Sequence, residues 1–175
     1  MNNQRNVVGI LSDTHNHKEN TRVAIEIFKQ HGITTIFHCG DLGNPDLLNL
    51  FAGFELYLAI GNTDTHPAEV ARRAKQFNLL NKVEHQVNIR IEGKLIGIVH
   101  DLYSFDSSQE STPPDYIFHG HTHRPSIKIS GCQTILNPGT TGGAVRAGIH
   151  SICVLNINTG QAKFFTLPDS NPLII

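Results

Sequence analysis

Three short apolar runs in the first sixty residues each end at a polar side chain. The runs cover residues 7–11, 34–38 and 55–60. The polar residues that follow them are Asp13, Asp41 and Asn62. Apolar runs of this length are typical of strands that are covered on both faces. Because strands that alternate with helices form parallel βαβ units, the three polar residues are predicted to meet at one edge of a sheet.

The segments between and after these runs have helical spacing or turn residues. Helices are predicted over residues 19–30, 46–51 and 68–77, the last two each beginning after a proline. Further along, residues 83–90 and 95–99 flank Glu92-Gly93-Lys94, which predicts a β-hairpin. Other strand candidates lie at residues 116–119, 126–129, 134–136, 150–156 and 162–166, whereas residues 104–111 are interpreted as a polar helix or loop. The prediction is an α/β fold: a four-layer αββα sandwich of two mixed β-sheets flanked by helices, in a single domain over residues 1–175.

The overall composition limits the classes of partner. The 175 residues have a formal net charge of −1, so no strong positive field would attract a nucleic-acid duplex. Three cysteines without a C-x-x-C pair argue against a disulfide framework and for a reducing compartment. Neither a signal pattern nor an apolar run long enough to span a membrane is present in the sequence, so we expect a cytoplasmic protein without a membrane partner.

Histidines supply the strongest chemical signal, since 11 of them occur in the chain. His100 ends an apolar run, and His121 and His123 lie in one turn within His119-Gly120-His121-Thr122-His123. With Asp13 and His15, and with Asp41 and Asn62 at the other strand ends, these side chains form a set of seven oxygen and imidazole ligands. Such a set, with one carboxylate to bridge, is what two closely spaced divalent cations require. The sequence therefore predicts a dinuclear metal site that acts on phosphate esters.

An ordered set of motifs gives a more specific interpretation. The motifs are SDTH at 12–15, GD at 40–41, GNTD at 61–64, the strand-terminal His100, GHTH at 120–123 and NPGT at 137–140. Together they resemble the calcineurin-like metallophosphoesterase superfamily, and within it the small single-domain bacterial and archaeal phosphodiesterases. The resemblance implies the αββα sandwich and a metal-dependent phosphoric ester hydrolase.

The resemblance also implies how the ligands are divided. One cation would be held by Asp13, His15, Asp41 and His123, and the second by Asp41, Asn62, His100 and His121. The catalytic residues would be Asp41, Asn62 and His121. Mixed nitrogen and oxygen ligands favour Mn²⁺, with Ni²⁺, Fe²⁺ or Zn²⁺ as alternatives. A hydroxide bridging the two cations would attack the phosphorus of a small phosphodiester in line.

Two departures from the pattern of the superfamily affect the substrate. Larger relatives have a histidine after the motif asparagine as proton donor to the leaving group, whereas Thr63 stands here. Asp101 follows His100 where the subgroup usually has glycine, and we expect it to face solvent or to touch a ligand from outside. The expected substrate contacts are Asn16, His17, Asp64 and Arg124, with Arg146 as another nearby cation. His38 and His119 are expected to support ligands rather than to bind metal.

Three alternatives stay open at this point. A retromer subunit shares the implied fold and acts as a protein-binding scaffold, but its site has lost ligand histidines that are present here. Larger relatives that act as nucleases add capping domains and basic surface. Metal-dependent regulation without turnover is the third. A homodimer is a further expectation.

Overall fold

The computed structural model describes residues 6–144 and 149–175, and these form two β-sheets with helices. The larger sheet has seven strands in the order β12-β11-β10-β1-β2-β3-β4, and the smaller has five in the order β5-β6-β7-β9-β8. The strands of the larger sheet are β1 (Val7–Leu11), β2 (Thr35–His38), β3 (Glu55–Ala59), β4 (Lys82–Glu84), β10 (His150–Asn156), β11 (Ala162–Leu167) and β12 (Pro172–Leu173). Those of the smaller sheet are β5 (Gln86–Ile91), β6 (Lys94–Val99), β7 (Tyr116–Phe118), β8 (Ser126–Ser130) and β9 (Gln133–Asn137).

The directions of the strands are mixed in both sheets. In the larger sheet β1, β2, β3 and β4 run parallel, with Gly9 opposite Ile36 and Ile36 opposite Leu56, while β10 pairs with β1 in the antiparallel sense. In the smaller sheet β6, β7 and β9 run parallel. The carboxyl ends of these parallel strands carry the predicted site residues, so the loops that follow them lie at one end of the sandwich.

Two helices connect the first parallel strands. Helix α1 (Lys18–Gln30) begins where the His17 ring accepts the N–H of Asn20, and it ends before Gly32, whose φ of 65° suits a helix terminus. Helix α2 (Pro67–Phe77) begins with a proline, which needs no N–H partner at that position. The predicted helix over residues 46–51 is a 3-10 helix, Pro45–Phe51. Neither α-helix is both long and apolar enough to cross a membrane.

The buried apolar side chains form two clusters, one on each side of the seven-stranded sheet. The first lies between that sheet and the helices and includes Phe28, Leu48 and Val70. The second lies between the two sheets and includes Phe37 and Phe118, whose rings are 5.2 Å apart. Apolar residues along β1 alternate between the two clusters, as the two-residue period of a strand requires.

The fold class is therefore confirmed, and three local features differ from the sequence prediction. The single strand predicted over residues 83–90 is wrong: it is two strands, β4 and β5, in different sheets, with His85 between them. The outer face of the smaller sheet is covered by short 3-10 turns rather than a regular helix, with the Phe105 ring close to Gly97. The hairpin at Glu92-Gly93 is confirmed. The short strand β12 was not predicted, because two residues are too few to show the alternation typical of a strand.

Candidate metal centre

Loops from both sheets carry the seven predicted ligands to one place. Asp13 and His15 follow β1, Asp41 follows β2 and Asn62 follows β3, all in the seven-stranded sheet. His100 follows β6, and His121 and His123 follow β7, in the five-stranded sheet. Residues more than 100 positions apart in the chain are thereby in contact, since the backbone N–H of His121 donates to Oδ2 of Asp13 at 3.2 Å.

Five of the seven predicted ligands have a left-handed backbone. Their φ angles lie between 43° and 66°, and the residues are Asp13, His15, Asp41, His121 and His123. Residues with a side chain avoid this region, at a cost of roughly 1–2 kcal/mol each. Backbone strain of this kind persists where the surrounding structure fixes it, and it is concentrated at functional sites.

Asp13, His15 and His123 form the first group of ligand atoms. Oδ1 of Asp13 lies 3.1 Å from Nε2 of His123 and 3.8 Å from Nε2 of His15. All three atoms lie within 4.8 Å of one another, which is close enough to share one cation. Oδ2 of Asp41 is 3.6 Å from Nε2 of His15 and borders this group.

His100 is at the centre of the second group. Its Nε2 atom lies 3.4 Å from Oδ2 of Asp41, 2.9 Å from Oδ1 of Asn62 and 3.3 Å from Nδ1 of His121. The same Asn62 oxygen is 3.2 Å from Nδ1 of His121. Asp41 thus lies between the two groups, where one carboxylate can contact both.

Among the described residues, two buried polar atoms of the first ligand group make no hydrogen bond of ordinary geometry. They are Oδ1 of Asp13 and Nε2 of His15. Both atoms face other proposed ligands: the Asp13 oxygen lies 3.1 Å from Nε2 of His123, and the His15 nitrogen lies 3.6–3.8 Å from the carboxylates of Asp41 and Asp13. Both atoms belong to the first ligand group, so the donor set fits a divalent cation that the described side chains would coordinate.

Backbone carbonyls fix the ring orientation of two ligand histidines. Nδ1 of His100 donates to the carbonyl of Cys39 at 2.8 Å, and Nδ1 of His123 donates to the carbonyl of Ala144 at 2.7 Å. A proton held on Nδ1 leaves the Nε2 lone pair free to bind metal, which is the usual arrangement around ligand histidines. In both rings Nε2 is the atom that faces the cluster.

The glycine pair Gly142-Gly143 packs directly against the ligand loop. Both backbone N–H groups donate to the carbonyl of Asp13, at 2.9 and 3.1 Å. A Cβ atom at Gly143 would lie 2.5 Å from the His123 ring and 2.7 Å from the His15 ring. The close approach therefore requires glycine at position 143.

Asp64 has a different environment from the one expected of a substrate contact. Its carboxylate accepts three backbone N–H groups, those of Asp41, Gly43 and Gly61, at 2.8–3.0 Å. It therefore connects the loops after β2 and β3. The same two loops are also connected by the N–H of Thr63, which donates to Oδ1 of Asp41 at 2.8 Å.

The other expected substrate contacts lie at the rim of the centre. Asn16 and His17 are exposed, and their side chains also accept backbone N–H groups, from Asn44 and Asn20 respectively. Arg124 is exposed directly after His123. Arg146 lies outside the described residues.

The supporting residues contact the ligand loops from inside the protein. His38 and His119 are buried, and the His119 ring lies 3.3 Å from the Asn137 amide, which donates to the carbonyl of Gly120. Asp101, directly after His100, is half-buried, and its Oδ1 atom accepts the N–H of Tyr103.

Electrostatic coupling within the first group changes the protonation of two side chains. Burial favours the neutral form of Asp13, but the neighbouring His123 and Ser12 side chains outweigh it and lower its pKa. The Asp13 carboxylate in turn raises the pKa of His123 to about 9. In the cation-free protein the His123 ring is therefore positively charged at neutral pH, and a metal cation has to displace the proton on Nε2.

Comparisons with known proteins give one family match and several similar proteins. The family model described as calcineurin-like phosphoesterase superfamily domain matches residues 7–160. Phosphodiesterase MJ0936 of Methanocaldococcus jannaschii is 28% identical over 164 residues, which are 91% of this chain and 98% of that protein. The solved structure of an archaeal phosphodiesterase is similar with a TM-score of 0.84 at 27% identity, covering 92% of this chain and 99% of that one.

Two more distant structures share the fold. A single mutant of Vps29 from Entamoeba histolytica has a TM-score of 0.67 at 21% identity and covers 95% of this chain and 96% of its own. Yfce, a phosphoesterase from E. coli, has a TM-score of 0.71 at 16% identity and covers 96% of this chain and 97% of its own. At these identities the likeness shows the fold alone.

Proposed function

The chain belongs to the calcineurin-like phosphoesterase superfamily, and from that premise we propose that it is a metal-dependent phosphodiesterase that hydrolyses small phosphodiesters. The similarity to phosphodiesterase MJ0936 over nearly the whole length of both chains supports a diester as the substrate. The observation that carries the proposal is the convergence of nitrogen and oxygen ligand atoms from seven residues, three of which lie within 4.8 Å of one another.

Two divalent cations would occupy the two ligand groups. The first would be held by Asp13, His15, Asp41 and His123, and the second by Asp41, Asn62, His100 and His121. At such a centre the cations supply an activated water molecule and neutralise the charge that develops on the phosphoryl oxygens. Mn²⁺ is our first choice because imidazole and carboxylate ligands are mixed, and Ni²⁺, Fe²⁺ and Zn²⁺ fit the same donors.

The chain itself positions the reacting groups. Asp41 is positioned by its backbone N–H, which donates to the Asp64 carboxylate. Asn62 and His121 face each other at the open side of the centre. These three residues are the proposed catalytic groups. Asn16, His17 and Arg124 are the proposed substrate contacts, because they lie exposed at the rim with polar atoms available to a phosphate oxygen. Asp64 takes a supporting role in this proposal, since three backbone N–H groups already engage its carboxylate.

A protein-binding scaffold is the alternative function. The similarity to Vps29 favours it in fold alone, at 21% identity. A scaffold needs neither the seven clustered ligands nor the left-handed backbone at five of them, which costs roughly 1–2 kcal/mol at each residue. A catalytic metal site accounts for this backbone strain, so we prefer the enzyme function to the scaffold function.

The proposal extends to setting and assembly. We place the single domain of residues 1–175 in the cytoplasm, a location supported by three free cysteines. The net charge of −1 supports neither a nucleic-acid duplex nor an anionic membrane as partner. A homodimer is supported by exposed apolar side chains at the end of α2 and directly after it, namely Phe77, Leu79 and Leu80. Sedimentation velocity measures the oligomeric state directly.

Hydrolysis of bis-p-nitrophenyl phosphate tests the central proposal. Protein stripped with EDTA is assayed alone and after addition of Mn²⁺, Ni²⁺, Fe²⁺, Zn²⁺ or Mg²⁺, with p-nitrophenyl phosphate as the monoester comparison. We expect turnover of the diester to depend on the added cation and to be highest with Mn²⁺. Binding of these cations without hydrolysis of either ester would overturn the phosphodiesterase proposal and favour a non-catalytic role.

A further inference from the structure

A groove of about 1090 Å³ adjoins the candidate metal centre on one side. It lies at the edges of both sheets, since its walls include the start of β8 and the end of the chain after β12. Its volume is larger than a phosphate group needs. The groove therefore has space for a substituent on the phosphate.

The walls of this groove are mainly apolar. Ile149, Ile174 and Ile175 line it and expose 40%, 97% and 53% of their surface, although large aliphatic side chains are usually buried. When a ligand covers apolar side chains beside a polar centre, binding is favoured because apolar surface is removed from water. This wall would favour an apolar ligand group over a charged one.

The groove is continuous with the metal centre through two shared histidines. His121 and His123 line the groove and also belong to the two ligand groups of the centre. Arg124 directly follows His123 and adds a positively charged side chain to the groove wall. A phosphate held at the centre would consequently direct one of its ester groups into the groove.

A second cavity on the other side of the centre has the opposite character. It measures about 430 Å³ and is lined by Asn62 and His100 together with Asp101, Asp106 and Gln109. Carboxylates and an amide suit a polar substituent, and they disfavour an apolar one because their polar atoms would lose water without gaining a partner. The two sides of the centre therefore distinguish the two ester groups of a diester.

We propose that this groove binds an apolar ester group of the substrate, so that the protein selects phosphodiesters with one apolar and one polar substituent. The inference rests on the proposed phosphodiesterase function and names the substrate class of the same site. Ile149 and Ile175 are specificity residues in this scheme, because they contact the ester group and no reacting atom.

Binding of two non-hydrolysed probes tests the groove separately from catalysis. The probes are methyl(2-naphthylmethyl)phosphinate and dimethylphosphinate, in which P–C bonds replace both ester linkages so that no bond can be hydrolysed, titrated calorimetrically into the Mn²⁺-loaded protein. We expect the naphthyl probe to bind at least about tenfold more tightly, with a more negative heat-capacity change, because it buries apolar surface. The variants Ile149→Ser and Ile175→Ser should reduce this ratio of Kd values towards one.

The matched control is Ile129→Ser, which removes another exposed isoleucine that does not line the groove. It should leave the ratio of Kd values unchanged. Equal binding of both probes to the unsubstituted protein overturns the groove assignment, and so does a ratio that survives both groove substitutions. The parallel assay with bis-p-nitrophenyl phosphate separates the two proposals. Turnover without a probe preference rejects only the groove, and a preference without turnover rejects only the phosphodiesterase function.

Discussion

Nε2 of His38 lies 2.6 Å from Oγ1 of Thr14 in the interior of the protein. The other ring nitrogen, Nδ1, accepts the N–H of Gly40, so the ring proton is on Nε2 and is donated to the threonine hydroxyl. Thr14 lies between Asp13 and His15, and Gly40 precedes Asp41. One neutral imidazole thus connects the ligand loops after β1 and β2.

This neutral ring predicts a loss of stability in acid. Burial lowers the pKa of His38 from its ordinary value of 6.5 to about 4. The unfolded chain takes up a proton below pH 6.5 whereas the folded chain does not, so stability present at neutral pH is lost between about pH 6.5 and pH 4. At about 1.4 kcal/mol per pKa unit, the loss amounts to about 3 kcal/mol.

Urea unfolding of the EDTA-stripped protein between pH 7 and pH 4 measures this effect. In the variant His38→Gln the free energy of unfolding should fall less steeply over the same interval. His85→Gln, which removes an exposed histidine, should keep the steep dependence. Parallel pH profiles for His38→Gln and the unsubstituted protein would contradict the assignment.

Replacing Asp41 with asparagine should abolish turnover, because the neutral amide no longer offsets the charge of two cations. We expect kcat/KM for bis-p-nitrophenyl phosphate to fall at least about a hundredfold, together with the bound metal content measured by mass spectrometry. Asp169→Asn removes an exposed carboxylate from a turn and should change neither quantity. Substantial turnover of Asp41→Asn at saturating Mn²⁺ rejects the bridging role.

Gly143→Ala should weaken the binding of Mn²⁺ while the protein still folds. The added methyl group would lie 2.5 Å from the His123 ring and 2.7 Å from the His15 ring, so both ligands must move. We expect the affinity for Mn²⁺ to fall about 10–100-fold, as for other changes next to metal ligands. Gly9→Ala provides a steric control, because its methyl group would meet the Phe28 ring at 2.9 Å, away from the centre.

Asp64→Asn distinguishes a supporting role from substrate contact. Asparagine keeps one acceptor oxygen where the carboxylate accepts three N–H groups, so the loops after β2 and β3 lose part of their connection. We expect a lower melting temperature and a weaker affinity for Mn²⁺. A higher KM with unchanged metal affinity would instead assign Asp64 to the substrate.

The sequence was sufficient to predict which strands carry the ligands, because apolar runs and the residues after them are local features. Asp13, Asp41 and Asn62 follow parallel strands, and parallel strands end at a common edge. The position of His85 between two sheets was not predictable, since β4 and β5 read as one continuous run and only tertiary pairing separates them.

Contacts made by backbone atoms were also beyond the sequence. The Asp64 carboxylate binds N–H groups, which every residue except proline possesses, so no residue pattern signals its role. The same holds for the carbonyls of Cys39 and Ala144 that orient His100 and His123. The glycine pair at 142–143 was visible, but its contact with His15 and His123 depends on how the two sheets meet.

The division of the ligands between two sheets has a mechanical consequence. Asp13 and Asp41 belong to the seven-stranded sheet and His100 and His123 to the five-stranded sheet, so any bound cation clamps one sheet to the other. Ligand binding of this kind stabilises the folded state by mass action. Amide hydrogen exchange along β1 and β7, which requires the sheets to separate, should therefore slow as cation is supplied. The metal centre would then stabilise the packing of the two sheets as well as bind substrate.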